Sequence, residues 1–305
     1  MMDLSIVIIS YNTEKLLLSC LRSIADYTTC IKYEVIIVDN ASSDGSQNIK
    51  DHAKFVKNLK VIKNKENLGF AKANNQGIKI AQGRYVLLLN SDTYLQENTL
   101  GKMVDWMDKY PEVGVTTCTL LNPDGSIQAS GGSSPSLFKV LLWSSFLDDF
   151  PLVADIFGSY HPHTPSFITR SGYYKKDHEQ DWVTGAFFFI RREVVEKVGY
   201  LDEDFFMYVE ELEYCFRIKE CGWKIFYTTT ASITHIGGAS GTSSDAILGE
   251  YKSLRLFYSK HKNFIEKALL ELFIKWGAIL RVVLFSVINS KKGVRDAYRR
   301  ALAAF

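Results

Sequence analysis

Tyr85–Leu89 and the four residues that follow it constrain the fold more than any other segment. Five apolar or aromatic residues in a row are typical of a strand buried on both faces, as in the middle of a mostly parallel sheet. The strand stops at the polar residues Asn90-Ser91-Asp92-Thr93. Open α/β sheets bind ligands at the carboxyl ends of strands, where an acid can hold a divalent cation. Asp92 is therefore a candidate metal ligand; capping of a helix near Gln96, or a turn, is the alternative.

Strand and helix patterns alternate before this segment. Apolar runs at Leu4–Ser10, Glu34–Asp39 and Leu59–Ile62 predict three earlier strands, with helical patterns between them. The alternation and the short connections predict a parallel α/β sheet with right-handed crossovers. A dinucleotide-binding Rossmann domain would need GxGxxG after the first strand. The chain has Ser10-Tyr11-Asn12-Thr13 there, which excludes that class.

The second half of the chain is less regular. Ser130–Gln180 shows no sustained period apart from a short apolar helix predicted over Leu137–Phe146. Long irregular segments in compact domains are usually functional loops, so we expect this one to contact an acceptor substrate. A strand is predicted at Trp182–Ile190, an amphipathic helix around Glu210–Ile218, and a glycine-rich loop at His235–Ser240.

Composition bounds the location and the charge of the protein. Met1-Met2-Asp3 leads straight into a strand pattern, and five scattered cysteines form no CxxC pair, so we expect a cytoplasmic protein with reduced thiols. The net charge is +2, but residues 245–305 carry 12 Lys+Arg against 5 Asp+Glu. This basic C-terminal region, behind an acidic body, is predicted to contact an anionic surface.

Seven segments, in this order, carry a resemblance to a known family. They are SIVIISYN (5–12), VDNASSDGS (38–46), NLGF with NNQG (67–70, 74–77), LNSDT (89–93), VTGA (183–186), EELE (210–213) and His235. The chain resembles the inverting glycosyltransferases of family 2, which have the nucleotide-diphospho-sugar fold called GT-A. Within that family it is most similar to bacterial rhamnosyltransferase-type enzymes of surface-polysaccharide assembly. The resemblance implies an α/β fold with a mostly parallel, Rossmann-like central sheet flanked by helices, and a C-terminal helical extension.

The resemblance also implies a site for a nucleotide-diphosphate sugar. Asp39 would accept a hydrogen bond from the base; the alternative is a cap for the turn that follows it. Residues after the first strand would line the base and ribose. The full set implied for nucleotide-sugar binding is Ser10, Tyr11, Asn12, Asp39, Asn40, Asn67, Gly69, Asn74, Asn90, Ser91 and Asp92.

A divalent cation is implied by Asn90-Ser91-Asp92, which occupies the position of the family's DxD motif. The first acid is absent, so Asp92 would carry most of the protein's charge on Mg²⁺ or Mn²⁺, and His235 would approach the metal or the diphosphate from the opposite side. Such a metal is held mainly by carboxylate and substrate phosphates. A structural histidine is the alternative for His235.

The general base is implied to be Glu211, where the family usually has Asp after Glu. Trp182, Thr184, Gly185 and Glu210 would contact the acceptor or support the base. Clustered carboxylates raise one another's pKa, which suits a general base. The alternative is that these acids only favour a helix N-terminus through its dipole.

The domains predicted are 1–240, with the GT-A fold, and 241–305, a basic, amphipathic helical extension. No uncharged run after Phe264 is long enough to span a bilayer, so we expect peripheral membrane contact through 264–300 at the inner face of the cytoplasmic membrane. A helical cap or a homodimer interface is the alternative.

The function implied is inverting transfer of a sugar, with rhamnose as the candidate, to a saccharide or lipid-linked saccharide in cell-surface polysaccharide synthesis. No nucleic-acid partner is expected. A sugar nucleotidyltransferase would need a basic, glycine-rich loop after the first strand, and none is present. A catalytically silent saccharide-binding or scaffold protein of the same fold stays open, because Asn90 and Glu211 depart from the family pattern.

Overall fold

The computed structural model describes residues 1–160, 172–237, 243–287 and 292–303. Twelve strands lie within these ranges. They are β1 (Leu4–Ser10), β2 (Tyr33–Asp39), β3 (Leu59–Lys63), β4 (Tyr85–Asn90), β5 (Thr93–Tyr94), β6 (Val113–Leu121), β7 (Ile127–Gln128), β8 (Gly131–Gly132), β9 (His178–Glu179), β10 (Trp182–Val183), β11 (Phe187–Arg191) and β12 (Lys224–His235).

Helices separate the first strands and make up the end of the described chain. They are α1 (Glu14–Tyr27), α2 (Ile49–His52), α3 (Gly69–Ile80), α4 (Thr99–Lys109), α5 (Leu137–Ser144), α6 (Pro151–Phe157), α7 (Arg192–Val198), α8 (Glu210–Glu220), α9 (Ser243–His261), α10 (Phe264–Ser286) and α11 (Lys292–Ala303). The predicted short apolar helix in the irregular region is therefore confirmed as α5. Residues 161–171 of that region lie outside the described residues.

One mixed sheet organises the fold, in the order β3-β2-β1-β4-β11-β6-β12-β5. β3, β2, β1 and β4 are mutually parallel, as the sequence predicts. β11 runs antiparallel to both of its neighbours, β4 and β6. The predicted α/β class, with a central sheet flanked by helices, is confirmed; the sheet is parallel from β3 to β4, whereas β11 is antiparallel to its neighbours.

Alternate residues of the central strands enter two hydrophobic cores, one on each face of the sheet. Leu87 and Leu89 of β4 belong to one cluster, whereas Val86 and Leu88 belong to the other. Burial on both faces explains why the strand is a continuous apolar run rather than an alternating one.

The C-terminal helices pack on the body of the protein. Leu254 of α9 and Ile274 of α10 are buried in the same hydrophobic cluster as Val86 and Leu88. The division into 1–240 and 241–305 stays a prediction, because residues 238–242 lie outside the described ranges. Within those ranges, no helix combines the length and the apolar composition needed to cross a membrane.

Two predicted elements differ from the structure. Trp182–Ile190 is not one strand: β10 ends at Val183 and β11 begins at Phe187, and the intervening backbone passes close to the ring of Phe70. His235 is not the start of a loop. β12 continues to it, and its last residues pair with β5, with His235 opposite Thr93. The glycine-rich segment after Gly237 lies outside the described residues.

Candidate active site

The predicted donor-binding residues follow strands whose carboxyl ends meet at one edge of the sheet. β1 lies between β2 and β4, with Ser10 opposite Asp39 and Ile9 opposite Asn90. Adjacent strands are about 4.8 Å apart, so the backbones at Asp39 and Asn90 are roughly 10 Å apart. This is the edge at which open α/β sheets bind ligands.

Tyr11 and Asn12 form the loop after β1. Asn12 has a left-handed backbone (φ 55°). Its backbone N donates to Ser42 Oγ at 2.9 Å, and its Oδ1 accepts from Ser43 N at 2.7 Å. These bonds join the loop after β1 to the loop after β2. The Tyr11 side chain stays exposed at the same edge of the sheet.

A chain of buried hydroxyl groups joins the ends of β1 and β4. Ser10 Oγ lies 3.0 Å from Thr13 Oγ1, which donates to Ser91 Oγ at 3.0 Å. Ser10 and Ser91, both predicted to bind the donor, are therefore linked to each other through Thr13. Their hydroxyl groups hold the two strand-end loops in a fixed relation.

Asp39 is buried at the end of β2, with 2% of its surface exposed. Its Oδ2 accepts from Ser42 N at 3.3 Å, so the carboxylate does stabilise the turn that follows it. Its Oδ1 has no hydrogen-bond partner among the described residues. A buried carboxylate oxygen without a donor is costly, which marks this atom as an acceptor for a ligand N–H or O–H group.

The predicted asparagines after β2 and around α3 bond mainly within the protein. Asn40 Nδ2 donates to Asn67 Oδ1 at 2.9 Å and to Gly69 O at 3.1 Å. Asn74 Nδ2 donates to a backbone oxygen of its own helix at 3.1 Å. Gly69 has φ 79°, and a Cβ there would lie 2.3 Å from Phe206 O. These residues therefore shape the loops around the site.

Asp92 and His235 meet at the next strand end. His235 Nδ1 lies 2.6 Å from Gln128 Oε1, while Gln128 Nε2 donates to Asn122 Oδ1 at 2.9 Å. The second bond orients the amide with its oxygen toward the imidazole. A neutral His235 therefore carries its proton on Nδ1, so its Nε2 can accept from Asn90 Nδ2 at 3.3 Å while also lying 3.3 Å from Asp92 Oδ1.

The arrangement of Asp92 and His235 fits a divalent cation. Two ligands at adjacent positions of an octahedral Mg²⁺ or Mn²⁺ ion lie about 3 Å apart, given bonds of roughly 2.1 Å. Gly237 N donates to Asp92 Oδ2 at 3.1 Å, and Asn90 Nδ2 lies 3.3 Å from His235 Nε2. A protonated His235 would instead make an ion pair with Asp92, so the geometry suits either a proton or a metal ion.

The described ranges contain no group of three or more His, Cys, Asp or Glu side chains that could hold a metal ion. Asp92 and His235 would therefore supply two ligands, and phosphate and water the rest, as is usual for Mg²⁺. The alternative in which Asp92 caps the following helix is wrong. α4 begins at Thr99, and Asn98 accepts from Gly101 N at its N-terminus.

A strained turn places the predicted base at the start of α8. Tyr208 (φ 71°) and Val209 (φ 69°) both have left-handed backbones, which cost roughly 1–3 kcal/mol each in residues other than glycine. Ser253 Oγ of α9 donates to Met207 O at 3.2 Å. The C-terminal helices thus help to hold the turn that sets the direction of Glu211.

Glu210 and Glu211 have different surroundings. Glu210 is 3% exposed, and its Oε2 lacks a hydrogen-bond partner in the part of the chain that the structure describes. Burial, followed by the charge of Glu211, raises the pKa of Glu210 well above its usual value. Glu211, the predicted base, is less buried than Glu210, and both lie in the first turn of α8.

The segment between β10 and β11 connects Glu211 to the metal-site residues. Gly185 N lies 3.5 Å from Glu211 Oε1, and Asn90 N donates to Ala186 O at 3.2 Å. Thr184 N donates to Ser130 O at 3.2 Å. Glu211, the predicted base, and the strand end that carries Asp92 are thus joined through two consecutive residues, Gly185 and Ala186.

Trp182 lies in β10, just before that segment. Its Nε1 donates to Ser133 O at 3.1 Å, and β10 pairs with β8, so the side chain connects β10 to the start of the irregular region.

The sequence alone did not indicate the roles of Thr13, Gln128 and Gly237. No local pattern relates these residues to the motifs, because each acts through a contact with a distant strand end.

A family model described as "Glycosyl transferase family 2" matches residues 5–199. The N-acetylglucosaminyl-diphospho-decaprenol L-rhamnosyltransferase of Mycobacterium tuberculosis is 22% identical over 285 residues, covering 88% of this chain and 87% of its own. The poly(ribitol-phosphate) beta-glucosyltransferase of Bacillus spizizenii is 40% identical over 102 residues, covering 32% of this chain and 16% of its own.

Two solved structures resemble the whole fold. Staphylococcus aureus TarS 1-349 in complex with UDP-GlcNAc has a TM-score of 0.57 at 18% identity, covering 99% of this chain and 80% of that one. The mannosyltransferase PcManGT from Pyrobaculum calidifontis, in complex with GDP-Man and Mn²⁺, has a TM-score of 0.58 at 17% identity, covering 99% of this chain and 81% of that one. At these identities the likeness bears on the fold alone.

Proposed function

The chain belongs to glycosyl transferase family 2 and has the predicted GT-A fold, and on this premise we propose that it is a metal-dependent, inverting glycosyltransferase. It moves a sugar from a nucleotide-diphosphate donor to a saccharide or lipid-linked saccharide acceptor. The observation that carries the proposal is that Asp39 and the Asp92–His235 pair lie at strand ends along one edge of the sheet. Glu211, in the first turn of α8, contacts the backbone of Gly185 just before β11 begins at the same edge.

The nucleotide end of the donor would bind at Asp39. Asp39 Oδ1, which has no partner among the described residues, can accept a hydrogen bond, so the nucleotide base must present an N–H group to it. Tyr11 is exposed at the same edge and offers an aromatic face to the base or ribose. The roughly 10 Å between the Asp39 and Asn90 strand ends leaves room for a ribose and a diphosphate between the base and the metal-site residues.

The transfer is a single in-line displacement at C1 of the donor sugar. The bond from the acceptor oxygen to C1 forms while the bond from C1 to the diphosphate oxygen breaks, and the hydroxyl proton passes to Glu211. The raised pKa of Glu210 disfavours its charged form, which leaves Glu211 as the member of the pair that is proposed to act as base. A divalent cation held by Asp92 and His235 would neutralise charge on the leaving diphosphate.

Relatives support the finer proposals about substrates. The name of the Mycobacterium tuberculosis relative specifies L-rhamnose transfer to a lipid-linked saccharide. We extend both properties to this chain: a rhamnosyl donor, and a lipid-linked acceptor of cell-surface polysaccharide synthesis. We also propose, from the sequence prediction of peripheral membrane contact, that it acts in the cytoplasm at the inner face of the cytoplasmic membrane. A homodimer stays a prediction from the sequence.

Donor turnover measured with and without Mn²⁺ tests the proposal. The wild type should hydrolyse or transfer at least one nucleotide sugar in a metal-stimulated reaction, and Asp92→Ala and Glu211→Gln should each lose at least about 10²-fold in rate. Saccharide or nucleotide binding without metal-stimulated turnover for any donor would contradict it. That result would assign the chain to the silent binding or scaffold alternative.

A further inference from the structure

The outward face of α10 is an apolar stripe that the rest of the described chain leaves exposed. Its members recur at intervals of three and four residues, which places them on one side of the helix. Each is between 37% and 68% exposed, and the set is Ile265, Leu269, Leu272, Trp276, Ile279 and Val283. The helix has 23 residues and is therefore about 34 Å long. Its opposite side, with Leu270, Ile274 and Ala278, is buried against the body.

A second group of exposed apolar side chains lies in the region of α5 and α6. All of them are between 42% and 72% exposed, and the set is Phe138, Leu147, Phe150, Leu152, Ile156 and Phe157. Exposed apolar residues are normally scattered singly over a protein surface. Six large ones within 20 consecutive residues, beside an apolar helix face, indicate a contact surface.

The two groups lie on elements that contact each other, because α5 ends against α10. The buried Arg281 of α10 donates to Ser144 O and Trp143 O, each at 2.8 Å. The rings of Phe146 and Phe285 are 6.5 Å apart. The two groups of exposed side chains on these neighbouring elements are together called the apolar face.

We propose that the apolar face lies on an anionic lipid bilayer, with α10 parallel to the membrane plane. A second copy would pair through one stripe and would bring two basic C-terminal segments together. Residues 245–305 carry 12 Lys+Arg against 5 Asp+Glu, so a second copy is repelled whereas anionic headgroups are attracted. Large side chains projecting from two elements fit a plane better than a single partner helix.

The position of the apolar face relative to the active site suits a lipid-linked acceptor. α5 follows β8, which pairs with β10, and the Glu211-contacting Gly185 lies two residues after β10. The chain between β8 and β10, which contains α5 and α6, thus begins and ends near the segment that contacts Glu211 and carries part of the apolar face. The link to a lipid-linked acceptor rests on the proposed function. Binding to vesicles, however, can be measured without any enzymatic turnover.

Vesicle flotation tests the proposal with the full chain. The wild type should float with vesicles of equal phosphatidylethanolamine and phosphatidylglycerol, and at least about tenfold less with phosphatidylcholine vesicles. Leu272→Glu on α10 and Ile156→Glu on α6 should each weaken binding to the anionic vesicles by about tenfold or more. Ile80→Glu is the matched control, because Ile80 is a 41% exposed residue of α3 outside the apolar face. Thermal unfolding checks that each variant is folded.

Quenching by brominated lipids locates the contact. Trp276→Phe should float as the wild type does, but should lose the part of the fluorescence that these lipids quench. Equal flotation of wild type and Leu272→Glu would overturn the proposal. So would a dimer in sedimentation analysis that Leu272→Glu dissociates while flotation is unchanged. Donor hydrolysis separates the two proposals, since variants that do not float should still hydrolyse a donor, unlike Asp92→Ala.

Discussion

Gly185→Ala tests whether the backbone between β10 and β11 positions Glu211, the proposed base. A Cβ at this position would lie 2.7 Å from Phe70 Cζ and 3.1 Å from Cε1. Carbon atoms in contact are ordinarily about 3.5–4.0 Å apart, so the ring or the backbone must move by about 1 Å. Gly185 N contacts Glu211 Oε1, and the next residue bonds to Asn90, so a backbone shift reaches both sides of the site.

The magnitude follows from this overlap. Misplacing a catalytic group by about 1 Å costs on the order of 10²-fold in rate. Overpacking a buried position costs about 1–3 kcal/mol of stability. Gly185→Ala should therefore lower kcat/KM about 10²-fold, measured with a turned-over donor and saturating Mn²⁺, and should lower Tm. Adding Phe70→Leu removes the ring atoms that the new methyl group meets, and should restore most of both losses.

Gly114→Ala is the control for overpacking alone. A Cβ there would lie 2.9 Å from Trp223 Cβ, at the start of β6 and away from the carboxyl edge of β1 and β4. It should lower Tm by a similar amount and leave kcat/KM within about threefold of wild type. If Gly185→Ala behaved like Gly114→Ala in both measurements, the positioning role of this backbone would be refuted.

Three further changes probe single contacts. Folding raises the pKa of Glu210, so its contribution to stability falls as pH rises from the unfolded value of 4.5. Glu210→Gln removes that dependence, so its Tm relative to wild type should rise between about pH 4 and about pH 8; a constant difference would exclude the raised pKa. Asp92→Asn should weaken Mn²⁺-dependent binding of a nucleotide diphosphate at least about tenfold by calorimetry, and equal affinity would remove Asp92 from the metal site. Arg281→Met deprives the carbonyl groups of Ser144 and Trp143 of a buried donor and should cost roughly 2–4 kcal/mol in urea unfolding; a loss below about 0.5 kcal/mol would show that α5 does not depend on it.

Much of the fold could be predicted because its strands are buried on both faces. Continuous apolar runs such as Leu4–Ser10 and Tyr85–Leu89 specify central strands without any knowledge of their neighbours. Parallel strands share a carboxyl edge, so Asp39 and the polar residues after Leu89 could be placed together from the strand order alone. The local sequence pattern therefore indicated most of the residues that are predicted to bind the donor.

The rest depended on contacts between distant segments. Asn90 and His235 are 145 residues apart, and they meet only because β12 extends to pair with the two-residue strand β5. Gln128, which orients the imidazole, lies in a short strand with no distinctive pattern. The break after Val183 has no apolar signal either, because its cause is the close approach of Gly185 to the ring of Phe70.

Crystals of the full chain grown with Mn²⁺ and a nucleotide diphosphate test the central claim most directly, since the anomalous signal locates the metal independently of any assay. One Mn²⁺ peak should lie within about 2.5 Å of both Asp92 Oδ1 and His235 Nε2, with the nucleotide base at Asp39 and the diphosphate between Asp39 and the metal. Binding elsewhere, for example in the depression lined by Arg22 and Phe55, with the Asp92–His235 pair unchanged, would contradict it.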